Sequence, residues 1–140
     1  MQLMSKILVD TNILVYGIDE DSEFFERARS VIDQEKNQLV TTSKNLVEFL
    51  AVTTKTSGYN LDNSTALEIV EEIIQGIEII YPTQESIAIF LDLMNRYQPK
   101  GLKVHDIEII SIGLTNGLHE VATFNAKDFK SIKEITLLEI

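Results

Sequence analysis

The sequence predicts an α/β protein: a central parallel sheet wrapped by helices on both faces. Three observations carry that expectation. Short, uniformly apolar runs such as Ile7-Leu8-Val9 mark strands covered on both sides. Those runs alternate with stretches whose apolar residues recur at spacings of three and four, the mark of helices lying on a core. The chain has 140 residues, of which 44% are apolar, enough to bury a core without disulfide or metal staples. One domain over residues 1–140 is expected, with no linker, repeat or low-complexity segment.

The elements follow in order. Ile7 to Val9 reads as a central strand ending at Asp10-Thr11-Asn12. Phe24, Phe25, Ala28, Val31 and Ile32 then give a helix over about 23–36, with Ser22 placed to cap it. Leu39 to Thr42 is a second strand, followed by a helix capped by Ser43 with Leu46, Val47, Leu50 and Ala51 on its buried side. Polar residues from Asn60 to Ser64 break the pattern. Leu67, Val70, Ile73 and Ile74 form a helix stopped by Gly76. Ile77 to Tyr81 is a strand closed by Pro82, and Thr83 caps a helix carrying Ile87, Phe90, Leu91 and Met94. That helix ends at Gln98-Pro99-Lys100-Gly101. A further helix starts near His105, carries Ile109, Ile110 and Leu114, and stops at Asn116-Gly117. Strands at Val121 to Phe124 and Ile135 to Leu138 complete the alternation.

Charge and composition narrow the function. The formal net charge is −10, which opposes nonspecific adhesion to nucleic acid. Residues 1–95 hold 16 acids against 6 basic residues, whereas residues 96–140 hold 6 of each, so the excess lies entirely in the first part. A neutral or basic face therefore remains open, with Lys100, Lys103, Lys127, Lys130 and Lys133 as its candidates. The absence of cysteine rules out disulfides, thiolate metal sites and a cysteine nucleophile, and suits a cytoplasmic location. No run approaches the roughly 18 apolar residues of a membrane span, and Asp10 interrupts what would be a signal-peptide core, so no membrane or secretion role is expected.

The chemistry should lie where parallel strands end at their carboxyl edge, because the loops there face a common crevice. Asp10 stands at one such end, and Thr123 to Asp128 at another. Asp106 falls in the first turn of a helix, where unpaired N–H groups favour negative charge. Glu48 lies between Val47 and Phe49 on a helix with apolar neighbours, as a carboxylate whose burial would be costly unless paired. Each acid also has a structural role open to it: Asp10 as a helix cap, Asp106 as a first-turn charge, Glu48 as a side chain reaching to solvent. No lysine or arginine is an obvious local partner, so a divalent cation explains their convergence economically. Hard oxygen donors suit magnesium or manganese.

Four segments together resemble the PIN-domain family, and within it the VapC-type ribonuclease toxins of bacterial toxin–antitoxin pairs. They are Leu8-Val9-Asp10-Thr11-Asn12, Asn45-Leu46-Val47-Glu48-Phe49, Lys103-Val104-His105-Asp106 and Ala122-Thr123-Phe124-Asn125-Ala126-Lys127-Asp128-Phe129. The resemblance spans essentially the whole chain. It implies a three-layer α/β/α sandwich, commonly a homodimer, that hydrolyses RNA phosphodiester bonds with bound magnesium or manganese. Asp10, Glu48 and Asp106 match the family's three best-defined acidic ligands. Asn125 occupies the place where many members have aspartate; either Asp128 supplies that charge or Asn125 positions a water through its amide oxygen. Thr11, Asn12 and Thr123 would steady the ligands by hydrogen bonding, and His105 would be structural. The resemblance also implies an antitoxin that lays basic and apolar residues over the acidic crevice.

Two other readings compete. A catalytically inactive PIN-like binding module would keep the fold without the chemistry. A phospho-acceptor receiver domain also carries an acid after its first strand, but it needs an aspartate after its third, where Tyr81-Pro82-Thr83 stands. A phosphatase with an aspartate nucleophile would want an acid at position 12, which is Asn12.

Overall fold

The structure is a computed structural model, and it describes residues 5–140. Residues 1–4, the beginning of the stretch read as lacking a leader, lie outside them. Five strands, β1 Lys6–Val9, β2 Gln38–Thr42, β3 Glu78–Ile80, β4 Glu120–Ala122 and β5 Thr136–Leu137, form one sheet in the order β3-β2-β1-β4-β5. Every pairing is parallel, with Ile7 opposite Leu39 on one side and Glu120 on the other. The helices are α1 Thr11–Tyr16, α2 Phe25–Ile32, α3 Ser43–Thr54, α4 Asn63–Gly76, α5 Gln84–Tyr97, α6 Lys103–Thr115 and α7 Ala126–Phe129. A receiver domain has the strand order 2-1-3-4-5, so this topology sets that reading aside.

Apolarity on both faces of each strand explains the three layers. Ile7 and Val9 point into a core built with α1, α2, α3 and α4, through Ile13, Val31, Phe49 and Val70. Leu8, Val40 and Val121 point the other way, against Leu93 of α5 and Ile107, Ile110 and Ile112 of α6. Gly113 lets α6 lie close on β1: a Cβ there would stand 2.9 Å from a methyl carbon of Leu8. The sheet order reverses at β1, so β1, β2 and β4 open their carboxyl ends onto one crevice, the location where such sheets hold their ligands.

Several boundaries differ from the sequence expectation. The helix expected over 23–36 is Phe25–Ile32. Ser22 accepts a hydrogen bond from Phe24 N in a turn ahead of it, and the Gln34 side chain binds the Asn37 backbone after it, so both flanks satisfy their polar groups locally. Thr42, not Ser43, caps α3, accepting from Asn45 N while the Asn45 side chain accepts from Thr42 N. The buried residues of α3 are Asn45, Phe49 and Thr53, while Val47 is 66% exposed and Ala51 is exposed too. The difference has a physical source: Asn45 and Thr53 are polar, but hydrogen bonds to Thr11, Thr42 and the Phe49 carbonyl offset the cost of burying them. Leu67 and Ile74 of α4 and Ile87 and Leu91 of α5, expected to face the core, are also exposed. The strands β3, β4 and β5 are each shorter than expected, and α7 fills the segment beyond Asn125, for which the sequence predicts no element.

Phe49 is fully buried and anchors α3 beside Glu48. Phe49→Ala should therefore lower the unfolding free energy by roughly 3–5 kcal/mol in urea titrations, and a loss under about 1 kcal/mol would show that α3 is held elsewhere.

Candidate active site

Asp10 directly follows β1 and is buried, 8% exposed. Its Oδ1 accepts from Thr11 N at 2.8 Å, which starts α1, and its Oδ2 accepts from the Thr123 hydroxyl at 2.8 Å. Both donors are neutral. Burial pushes the Asp10 carboxyl above the usual carboxylate range, and the bonds from Thr123 and Thr11 pull it part of the way back. Asp10 is thus a helix cap and a site carboxylate at once.

Thr123, one residue beyond β4, is the node of the network. Its hydroxyl proton goes to Asp10, and its oxygen accepts from Asn12 Nδ2 at 3.2 Å and Asn125 N at 3.0 Å. Asn12 Oδ1 in turn accepts from Phe124 N at 3.2 Å. On the other wall, Thr11 Oγ1 accepts from Asn45 Nδ2 at 2.9 Å, and Asn45 Oδ1 accepts from the Thr42 hydroxyl at 2.7 Å. With its oxygen engaged by Asn45, the Thr11 hydroxyl directs its proton toward Glu48 and lowers that carboxyl's pKa. Sequence reasoning gave Asn45 no role. Its available signal was an asparagine three residues after Thr42, the capping-box spacing. Among the described residues, no buried side-chain nitrogen or oxygen lacks a partner.

Glu48 is not buried among apolar neighbours, as its sequence setting suggested. It is exposed on the crevice wall formed by the outward face of α3, with Val47 and Ala51. Partial withdrawal from water, then the charge of Asp10, push its carboxyl up; the Thr11 hydroxyl and His105 pull it down. Asp106 occupies the first turn of α6 and is half-buried. Its carboxyl is pushed up to about 7 by desolvation and then by the charges of Asp10, Asp128 and Glu48, against a weaker pull from Lys103. The four acids therefore act within one field.

Glu48, His105, Asp106, Asn125 and Asp128 line a crevice of about 570 Å³. A second pocket of about 370 Å³ adjoins it and shares Lys103, Asp106 and Asp128. His105, read as structural, is exposed on the crevice wall. Among the described residues, none of the four acids is in an ion pair. Nor, among those residues, do three acidic or histidine side chains already surround one point tightly enough to hold an ion. Both Asp10 oxygens are already engaged, by Thr11 N and the Thr123 hydroxyl. The donor set is all hard oxygen; burial raises its carboxyls first, and the mutual repulsion that adds to this at Glu48 and Asp106 is what a hard divalent cation would relieve.

A parallel α/β sandwich with acids gathered at the carboxyl ends of its central strands defines the class. The PIN domain family model matches residues 7–135, and the chain belongs to that family. No curated protein sequence matches it. Solved structures share the fold at low identity. VapBC2 from Rickettsia felis, bound to a DNA fragment from its promoter, matches with a TM-score of 0.72 at 19% identity, over 95% of this chain and 97% of that one. DNA-bound VapBC from Salmonella typhimurium gives 0.69 at 21%, over 96% and 98%. VapC20 from Mycobacterium tuberculosis, a toxin that cleaves the sarcin–ricin loop, gives 0.72 at 12%, over 90% and 95%.

The raised carboxyls link stability to pH. Unfolded, Asp106 ionises in the ordinary carboxylate range; folded, it holds its proton to about 7. The folded state therefore binds more protons between these values. The contribution of Asp106 to stability is greatest below the ordinary range and is lost as pH rises through 7. In chelator, the melting temperature should drop between about pH 5 and about pH 8, and any divalent cation the site takes should raise it more at the higher value, where the carboxyls are ionised. Asp106→Asn should flatten the chelator profile; a variant with the native slope would contradict the assigned field.

Proposed function

We propose that the chain is a magnesium- or manganese-dependent endoribonuclease, the toxin of a toxin–antitoxin pair. One observation carries this reading: Glu48, Asp106 and Asp128 line one crevice, with Asp10 buried close enough for its charge to act on Glu48 and Asp106, and no basic residue is ion-paired with any of the four among the described residues. Acids held together in this way suit a cation far better than they suit one another.

Asp10, Glu48 and Asp106 are the ligands, and Asp128 supplies the fourth charge beside Asn125, whose amide is free to position a water. A divalent ion bound there supplies Lewis acidity at the scissile phosphate and makes an attacking water more acidic. Thr123 and Thr11 fix the two oxygens of the Asp10 carboxylate, while Asn12 and Asn45 fix those two threonines in turn. Preorganisation of this kind spares the site from reordering its donors during the reaction. A carboxylate among these acids that is not fully engaged can take the water's proton.

RNA as substrate follows the family resemblance and the sarcin–ricin activity of VapC20. An antitoxin partner follows the VapBC complexes that share this fold. Val47 and Leu102, 66% and 84% exposed, line the crevice beside Glu48 and Asp106, so its mouth offers apolar and acidic contacts to a peptide with basic and apolar residues. A homodimer is supported by the exposed Leu67, Ile74, Ile87 and Leu91 on the helices flanking β3 at the sheet edge. Among the described residues, no helix is long and apolar enough to cross a membrane, in keeping with a cytoplasmic enzyme. Asn125 in place of an acid is the one feature favouring an inactive binding module, and the same assay decides between them.

Purified protein should cut total RNA with magnesium and leave it intact in chelator. Asp10→Asn or Asp106→Asn should reduce cleavage by more than about a hundredfold with circular dichroism unchanged, and Thr123→Val by roughly 10–100-fold. Full activity in both asparagine variants would end the mechanism.

A further inference from the structure

The second pocket combines features that the acidic crevice does not. Lys100 comes from the connection between α5 and α6, Lys103 is the first residue of α6, and Lys127 lies on α7; all three line this one pocket of about 370 Å³. None is in an ion pair among the described residues. Leu102 precedes α6 and gives it no side-chain cap, so the positive end of this 13-residue helix adds to the lysines. The wall is firmly built. Gln98 ends α5 in the left-handed region at φ 47° and Gly101 turns at φ 61°, which fixes the path of the connection carrying Lys100. The Tyr97 hydroxyl donates to Glu134 and accepts from Lys133 N, while Arg96 also holds Glu134, which neutralises the nearby acid.

In a chain of net charge −10, most of the surface repels a polyanion. A basic pocket that shares Asp106 and Asp128 with the acidic crevice is therefore a privileged point of approach. We propose that Lys100, Lys103 and Lys127 form a subsite for a backbone phosphate of single-stranded RNA next to the one being cut, which holds the strand in one direction across the acids. This rests on the ribonuclease reading for the identity of the strand. It assigns the substrate contacts to one side of the catalytic acids and leaves the apolar crevice mouth at Val47 and Leu102 to other partners. Lys130 and Lys133, which the sequence grouped with these three, do not line the pocket and take no part.

The test measures binding of a mixed-sequence single-stranded RNA 12-mer by fluorescence anisotropy against salt concentration, in calcium, with cleavage of total RNA in magnesium run alongside. Each phosphate neutralised on a single strand adds about 0.7 to the magnitude of the log–log salt slope. The triple variant Lys100→Gln/Lys103→Gln/Lys127→Gln should lose about 0.7 from that slope, and the three arginine substitutions should restore it. Lys36→Gln/Lys55→Gln, remote lysines of the same charge, should leave it unchanged. In the cleavage arm, the triple variant should raise KM and the arginine substitutions should bring it back. No RNA binding by the native protein, an unchanged slope in the triple variant, or an equal loss in the control pair would each overturn the subsite. Slope loss without any cleavage by the native protein would keep the subsite and refute the ribonuclease reading; native cleavage with an unchanged slope would do the reverse.

Discussion

A carboxylate buried at the end of the central strand with only neutral donors governs the architecture around it. Asp10 cannot move, because Val9 before it is in the sheet between β2 and β4 and Thr11 after it begins a helix. Its burial is tolerable only because Thr123 and Thr11 satisfy its oxygens, and those threonines are in turn held by Asn12, Asn125 and Asn45. The network ties together the segments after β1, β2 and β4, and so turns the topological reversal of the sheet into a rigid floor. A half-satisfied network of this kind would cost more than an apolar one, which accounts for its completeness.

The fold holds acids together against their mutual repulsion. Asp106 is delivered by α6, whose seat on β1 depends on Gly113, and Glu48 by α3, whose seat depends on Phe49 and on the fully buried Asn45. These helices are locked by core contacts on opposite faces of the sheet. Apolar packing thereby sustains an electrostatic arrangement that would disperse if the side chains were free. A site of this type stores free energy that ligand binding can release, which is how function and stability come to oppose each other at one place.

Much of this was legible before any coordinates. Ile7-Leu8-Val9 announces a doubly covered strand, and a charged residue at its end points to the crevice through a general rule about parallel sheets. Asp106 at a helix start and Thr123 after a strand were readable on the same basis. The face of α3 was not, since helical periodicity assumes that polar side chains turn outward. Asn45 and Thr53 turn inward because partners distant in sequence, or a carbonyl one turn back, satisfy them. Reversing that face exposes Val47 and carries Glu48 to the crevice wall. The one-turn α7 and the short edge strands escaped for a simpler reason: segments of two to four residues carry too little pattern to stand above a loop. Convergence of Lys100, Lys103 and Lys127 depends on the left-handed turn at Gln98, which no spacing rule encodes.

The two adjoining pockets flank the acids, one with Val47, Leu102 and Glu48 and the other with Lys100 and Lys127, and Lys103, Asp106 and Asp128 lie on their boundary. On the proposed reading, a polyanion and a basic partner would have separate approaches to the same centre. Everything rests on a single cation being gripped by side chains far apart in the sequence. Crystals grown in manganese measure this most directly through anomalous scattering. The account predicts a peak in the crevice within coordination distance of oxygens from Asp10, Glu48 and Asp106. Well-ordered carboxylates with no peak between them, or a peak held by other residues, would contradict it.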